Sequence, residues 1–89
     1  MKKRIITVVG KDSIGITAKV CVYLAENSVN ILDIAQTIVG GYFNMMVVDI
    51  QESSKSTEII ANELKEIGDE IGVQIKVQHE KIFETMHRI

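Results

Sequence analysis

Asp12-Ser13-Ile14-Gly15 stands where the apolar run Ile5-Ile6-Thr7-Val8-Val9 stops and a helix-period pattern begins. A strand that bends straight into a helix needs a residue without a Cβ, which Gly15 supplies, and a side-chain acceptor for orphan helix N–H groups, which Asp12 or Ser13 supplies. Such an elbow turns backbone N–H groups and the positive end of a helix dipole outward, a chemistry suited to a small anion such as a carboxylate. The same spacing also makes a plain cap, and most caps bind nothing.

The other residues able to do chemistry do not assemble into a constellation. His79-Glu80 begins like a zinc-protease helix, but the residue four after His79 is Phe83, so the second ligand is missing. His79 and His87 read as solvated, because no Cys or carboxylate accompanies them at ligand spacing. Cys21 lies among apolar residues and reads as a small buried hydrophobe, since a nucleophilic thiol needs exposure and a depressed pKa. Gly10-Lys11 lacks the glycine and hydroxyl spacing of a P-loop, and no helix follows Gly40-Gly41 as a dinucleotide fingerprint requires. Met45-Met46 reads as core or interface filling. The carboxylates Glu63, Glu66, Asp69 and Glu70 read as one solvated helix face. No acid, base and nucleophile come together, so the chain is expected to have no catalytic residues, no metal, no cofactor and no enzymatic activity.

Composition narrows the class further. A chain of 89 residues is one domain and buries only about 60–65% of its unfolded surface, which leaves a marginal core. Forty-six per cent apolar residues with 4% aromatics is much Val, Ile and Met for so small a body. Part of that surface is expected in a subunit interface, which makes a homo-oligomer, at least a dimer, the expected state. A net charge of −2 and a pI near 5.6 argue against direct nucleic-acid binding, which needs a positive field. Lys2-Lys3-Arg4 is followed by too few apolar residues for a signal-peptide core, and no stretch approaches the ~20 apolar residues of a membrane span. The single Cys21 cannot make an internal disulfide, which fits a reducing, cytoplasmic setting.

Six elements must position the elbow. Residues 3–9 read as a central strand, near-continuously apolar. A helix follows from Gly15 to Glu26, with Ile14, Ala18, Cys21, Val22 and Ala25 on one face and Lys19, Tyr23 and Glu26 on another. Asn27 is expected to close it in the left-handed conformation. Val29–Val39 and Tyr42–Ile50 form a hairpin around Gly40-Gly41. After the cap residues Ser53-Ser54-Lys55-Ser56, the stripe Ile60, Leu64, Ile67 and Ile71 makes a second helix that Gly72 stops. Val73, Ile75 and Val77 alternate with Gln74, Lys76 and Gln78 as an edge strand. The order β-α-β-β-α-β closes into a ferredoxin-like α+β fold, a four-stranded antiparallel sheet with both helices on one face. Both alternation sets between Val29 and Ile50 carry apolar residues, so the second sheet face is expected to meet a partner, with Val47 or Met46 on it. Residues 1–79 form the domain. Residues 80–89 form a tail in which Ile82, Phe83, Met86 and Ile89 have helical spacing, suited to packing on a partner or on that second face.

The elbow, the element order and Val29-Asn30-Ile31 together resemble the ACT domain, a small-molecule-binding regulatory module. The resemblance runs from Ile5 to Val77 and is carried by Asp12-Ser13-Ile14-Gly15-Ile16-Thr17-Ala18-Lys19-Val20 and Leu24-Ala25-Glu26-Asn27-Ser28-Val29-Asn30-Ile31. The family commonly has Pro before the elbow glycine and Gly just before the second strand, where this chain has Ile14 and Ser28. The resemblance implies a ligand, often an amino acid, at a subunit interface, between Asp12, Ser13, Ile14, Gly15 and Ile16 of one copy and Asn30 and Ile31 of its partner. With no enzyme attached, the chain is also similar to small bacterial relatives of the glycine cleavage system repressor. Backbone N–H groups at 14–16 suit a carboxylate, and the Asn30 amide offers a donor and an acceptor to an amino acid's charged ends. The expected function is amino-acid sensing that regulates a protein partner. The alternative is a structural oligomerisation or protein-interaction module without ligand.

Overall fold

A computed structural model describes residues 2–11, 15–38 and 41–79. The elements are β1 (Lys3–Gly10), α1 (Ile16–Glu26), β2 (Asn30–Ile38), β3 (Tyr42–Asp49), α2 (Thr57–Ile71) and β4 (Gln74–His79). The strands form one sheet in the order β2-β3-β1-β4, and every neighbouring pair is antiparallel. This is the ferredoxin-like arrangement expected from the element order, with apolar β1 in the interior of the sheet and β4 at one edge.

The ladder registers sort the side chains by face. Ile6 stands opposite Met46 and Val77, and Val8 opposite Asn44 and Ile75. Of these, Ile6, Val8, Met46 and Ile75 are buried in one cluster with Ile16, Val20, Leu24, Ile60 and Leu64 of the helices, and Val77 packs against it. The alternate set, with Ile5 opposite Val47 and Thr7 opposite Met45, points to the second face. That face is closed at its centre and open at one end. Ile5 and Thr7 are buried, whereas Val9 and Phe43 are 47% and 42% exposed. Met46 therefore belongs to the core, and Val47 is the half-buried residue of the second face. β2 takes an extra residue between Ile31 and Asp33 relative to β3, a bulge that presents Leu32 to solvent.

Two readings of α1 are corrected. Its buried residues are Ile16, Val20, Tyr23 and Leu24, whereas Ala18, Val22 and Ala25 are exposed and Cys21 is only partly buried. Tyr23, assigned by helical spacing to the face of Lys19 and Glu26, is buried, and its hydroxyl is satisfied there by donating to Glu63 Oε1 at 2.6 Å. The helix end also differs from expectation. Asn27 has φ −107°, and Ser28 is the left-handed residue, at φ 59°. Val29 N–H donates to Leu24 O at 2.9 Å and Ser28 N–H to Ala25 O at 3.3 Å, the Schellman pattern that normally selects glycine at this position.

α2 follows the expected stripe. Ile60 and Leu64 are fully buried, with Ile67 and Ile71 packed against the core beside them. The Ser56 hydroxyl caps the helix, accepting from Ile59 N–H at 3.3 Å. Arg4 Nε donates to Thr57 Oγ1 at 2.9 Å and ties β1 to the start of α2. The expected tail, 80–89, lies outside the described residues.

Candidate functional site

Gly15 takes the N-cap position of α1 at φ 75° and ψ −10°, and makes no side-chain cap hydrogen bond. This is the left-handed region, which glycine enters without the steric cost that a Cβ imposes. Among the described residues a Cβ built at Gly15 meets nothing within 4 Å, so space opens beside this residue. Lys19 N–H donates to Gly15 O at 3.0 Å, which closes the first turn. The N–H groups of the turn before it have no partner within the helix, by the geometry of any α-helix.

That free space is a cleft of about 500 Å³, lined by Gly10, Lys11, Gly15, Ile16, Lys19 and the segment Ile71-Gly72-Val73. The antiparallel ladder explains why these meet. β1 ends at Gly10 where β4 begins, since Val9 stands opposite Gln74, and so the end of α2 reaches the elbow. α2 closes there with Gly72 at φ 77° and with Val73 N–H donating to Gly68 O at 2.8 Å. The cleft thus lies between the start of one helix and the end of the other. Donors and positive potential come from the first, carbonyl acceptors and negative potential from the second.

The expected site residues divide among three places. Gly15 and Ile16 border the cleft, Ile16 with its side chain in the core. Asp12, Ser13 and Ile14 lie outside the described residues. Asn30 and Ile31 begin β2, where Asn30 stands opposite Asp49 and Ile31 opposite Val48. Asp49 in turn faces Lys3, while Gly10 faces Tyr42, so Asn30 sits at the end of the sheet remote from the elbow. Seven residues of strand separate the two rows, about 24 Å at ~3.4 Å per residue. Within one chain the two halves of the expected site do not meet. Asn30 is exposed, whereas Ile31 is half-buried and packs on the core.

Sequence reasoning missed Lys11, Lys19, Ile71, Gly72 and Val73 as cleft residues. Lys19 was legible as the residue one turn beyond Gly15. The other end of the cleft follows only from pairing β1 with β4, a contact between residues more than sixty apart in the chain.

A second polar arrangement joins the two helices. Glu63 Oε1 accepts from Tyr23 Oη and from Lys55 Nζ, both at 2.6 Å, and Lys55 Nζ stands 5.7 Å from the Tyr23 ring centroid. Burial, then the neighbouring Glu63, pushes the Tyr23 hydroxyl far above its usual range. The Lys55 ammonium first, then the Tyr23 hydroxyl, holds Glu63 below the usual carboxylate range. These three side chains fasten α1, α2 and the turn before α2 together. Among the described residues no group of three His, Cys, Asp or Glu side chains could hold a metal ion. No described helix is long and apolar enough to cross a membrane.

Comparison with known proteins agrees with this architecture. The ACT domain family model matches residues 3–78. A UPF0237 protein of Bifidobacterium longum is 53% identical over 90 residues, which span 100% of both chains. The fold superposes on an ACT domain protein from Streptococcus pneumoniae with a TM-score of 0.82 and 39% identity, covering 93% of this chain and 94% of that one. It also matches the ligand-free regulatory subunit of aspartate kinase from Thermus thermophilus, with a TM-score of 0.64 and 25% identity over 86% of this chain and 50% of that one. Fold, elbow geometry and full-length similarity converge, and the chain belongs to the ACT domain family and, within it, to the UPF0237 proteins.

Proposed function

We propose that this chain is a homo-oligomeric regulatory domain that senses an amino acid and modulates a partner protein. The observation that carries the reading is the cleft at Gly15, where the start of one helix and the end of another offer opposite potentials to a zwitterion. In this reading Asn30 comes to the cleft from a partner copy, as the family resemblance implies; within one chain the two stand at opposite ends of the sheet. The fold match to a regulatory subunit of aspartate kinase supports regulation as the role of such a domain. Similarity to small bacterial relatives of the glycine cleavage system repressor belongs to the same reading, as does a cytoplasmic setting. Residues 80–89 are read as part of the assembly, so their removal lowers the oligomer's melting temperature without changing ligand affinity.

The test is a thermal-melt screen against the twenty amino acids. A ligand that binds only the folded oligomer stabilises it by about 2.7 kcal/mol at a hundredfold excess over Kd, and each kcal/mol moves the melt of so small a domain by roughly 4–8 °C. Gly15→Asp abolishes the shift, because its carboxylate occupies the place of the ligand's own. The open space around Gly15 lets the free chain accept that side chain, at a backbone cost of roughly 1–2 kcal/mol. Asn30→Ala weakens binding by about 1–3 kcal/mol through the polar partner it leaves unsatisfied. If no amino acid at millimolar concentration moves the wild-type melt, the structural module without ligand takes the place of this reading.

A further inference from the structure

We propose that residues 80–89 fold back over the second face of their own sheet and cover it at Ile5 and Thr7. These two residues are only 4% and 9% exposed within a single chain, so what covers them belongs to that chain and not to a partner. Among the described residues the helices do not supply the cover, because their apolar sides meet Ile6, Val8, Met46 and Ile75 on the other face of the sheet. Neighbours within the sheet are not enough either. Val9, on the same strand and the same face, stands between Phe43 and Gln74 and is still 47% exposed, whereas Ile5 has the smaller Val47 on one side and Gln78 on the other.

Few segments of the chain remain to close this face. Residues 12–14 follow Lys11 and residues 39–40 follow Ile38, at the end of the sheet where Gly10 faces Tyr42 and where Val9 and Phe43 stand open. Met1 is a single residue, too small to close two positions of a strand. Residues 80–89 leave β4 at the opposite end, since His79 stands opposite Arg4 and Gln78 opposite Ile5. The face is therefore closed on the side where the tail begins and open on the side away from it. Length and pattern fit the same seat. Ten residues in one helix span about 15 Å, and the three gaps between four strands add up to about 14 Å. Ile82, Phe83, Met86 and Ile89 recur at i, i+1, i+4 and i+7, one apolar stripe for Ile5 and for the half-buried Met45 and Val47 beside it. The tail thereby gains a seat on its own chain, and a second copy is left the end at Val9 and Phe43.

Thiol reactivity in the full chain reads the cover. In a Cys21→Ser background, Thr7→Cys and Val9→Cys each place one thiol on this face, and each rate is taken relative to that of the same chain in denaturant. The thiol of Thr7→Cys is expected to react on the order of tenfold more slowly than that of Val9→Cys, because a covered thiol reacts only in locally opened molecules. Removing residues 80–89 brings the two rates together. Where circular dichroism shows that the shortened chain does not fold, Phe83→Ala with Met86→Ala in the full chain makes the same comparison. Protection stays unchanged on dilution from micromolar to nanomolar protein, and full-length wild-type chain added to the shortened Thr7→Cys chain does not restore it. Equal rates in the full chain, or protection that survives loss of the tail or the double substitution, overturn the proposal. Protection that is lost on dilution, or restored by added full-length chain, overturns it in favour of a second copy as the cover.

Discussion

Helices α1 and α2 cover the same face of one sheet, yet their buried faces are specified in different ways. In α2 the apolar stripe Ile60, Leu64, Ile67 and Ile71 is bounded by Asn62, Lys65, Glu66, Asp69 and Glu70, all exposed, and a single orientation buries it. In α1 apolar residues run nearly all the way round. Ile16, Val20 and Leu24, four residues apart, go inside, while Val22 remains 57% exposed. A helix with a polar surround announces its inner face by period alone. A helix that is apolar on several faces leaves the choice to what it packs against, and here Ile16, Val20 and Leu24 go into the core together with Tyr23, whose hydroxyl is satisfied by Glu63.

The largest effects should come from the core side of both helices. Leu24→Ala and Leu64→Ala each remove a fully buried side chain and are expected to cost about 2–5 kcal/mol in chemical denaturation, whereas Val22→Ala stays within about 0.5 kcal/mol. A Val22→Ala loss as large as that of Leu24→Ala would restore the face that periodicity favoured.

Gly68 sharpens the contrast from the side of α2. A Cβ there meets the backbone oxygen of Val73 at 2.7 Å and Ile75 Cγ1 at 3.2 Å, because α2 lies close on the start of β4. Ala is worth about 1 kcal/mol more than Gly in a helix interior, but a backbone oxygen cannot rotate away. Gly68→Ala is therefore expected to lower stability by about 1–3 kcal/mol, against its helix propensity. An increase in melting temperature would show that the helix slides to make room.

The two helix ends offer a matched pair of opposite sign. Both close on a left-handed residue, Gly72 at φ 77° and Ser28 at φ 59°. Gly72→Ala imposes the left-handed penalty and should cost about 1–2 kcal/mol, while Ser28→Gly removes it and should gain up to about 1 kcal/mol, reduced by the added freedom of the unfolded chain. Equal and small changes at both positions would mean that the caps relax.

The smallest effect concerns the contact between Tyr23 and Glu63. Tyr23→Phe deletes the hydroxyl bonded to Glu63 and is expected to cost about 1 kcal/mol. Its pH dependence has a definite sign. The folded pKa of Glu63 is depressed, so its contribution is present above the unfolded value of 4.5 and is lost as pH falls through the folded one. The folded pKa of Tyr23 is raised, so its contribution is complete below the unfolded value of 10.0 and declines as pH rises past it. The gap in stability between wild type and Tyr23→Phe should narrow at both extremes. A gap that stays constant from pH 3 to pH 11 would assign Tyr23 to packing alone.

The order of elements, the hairpin, the stripe of α2, the cap at Ser56, the stop at Gly72 and the turn at Gly15 were all legible from local chemistry. Each depends on residues within one or two turns of each other, where period, cap preference and backbone freedom act directly. The inner face of α1, the left-handed Ser28, the burial of Met46 as against Val47, and the cleft that joins Lys11 and Lys19 to Ile71-Gly72-Val73 were not. Tyr23 is satisfied by a glutamate forty residues away, Met46 is placed by its register against Ile6, and the cleft by the pairing of the first strand with the last. Ser28 occupies a conformation it disfavours because Val29 must reach Leu24 and enter the core beside it. Local sequence determined which segments become helices and strands and where they begin and end. Tertiary structure decided which faces turn inward and which distant residues share the cleft, because those choices depend on contacts that exist only once the sheet has closed.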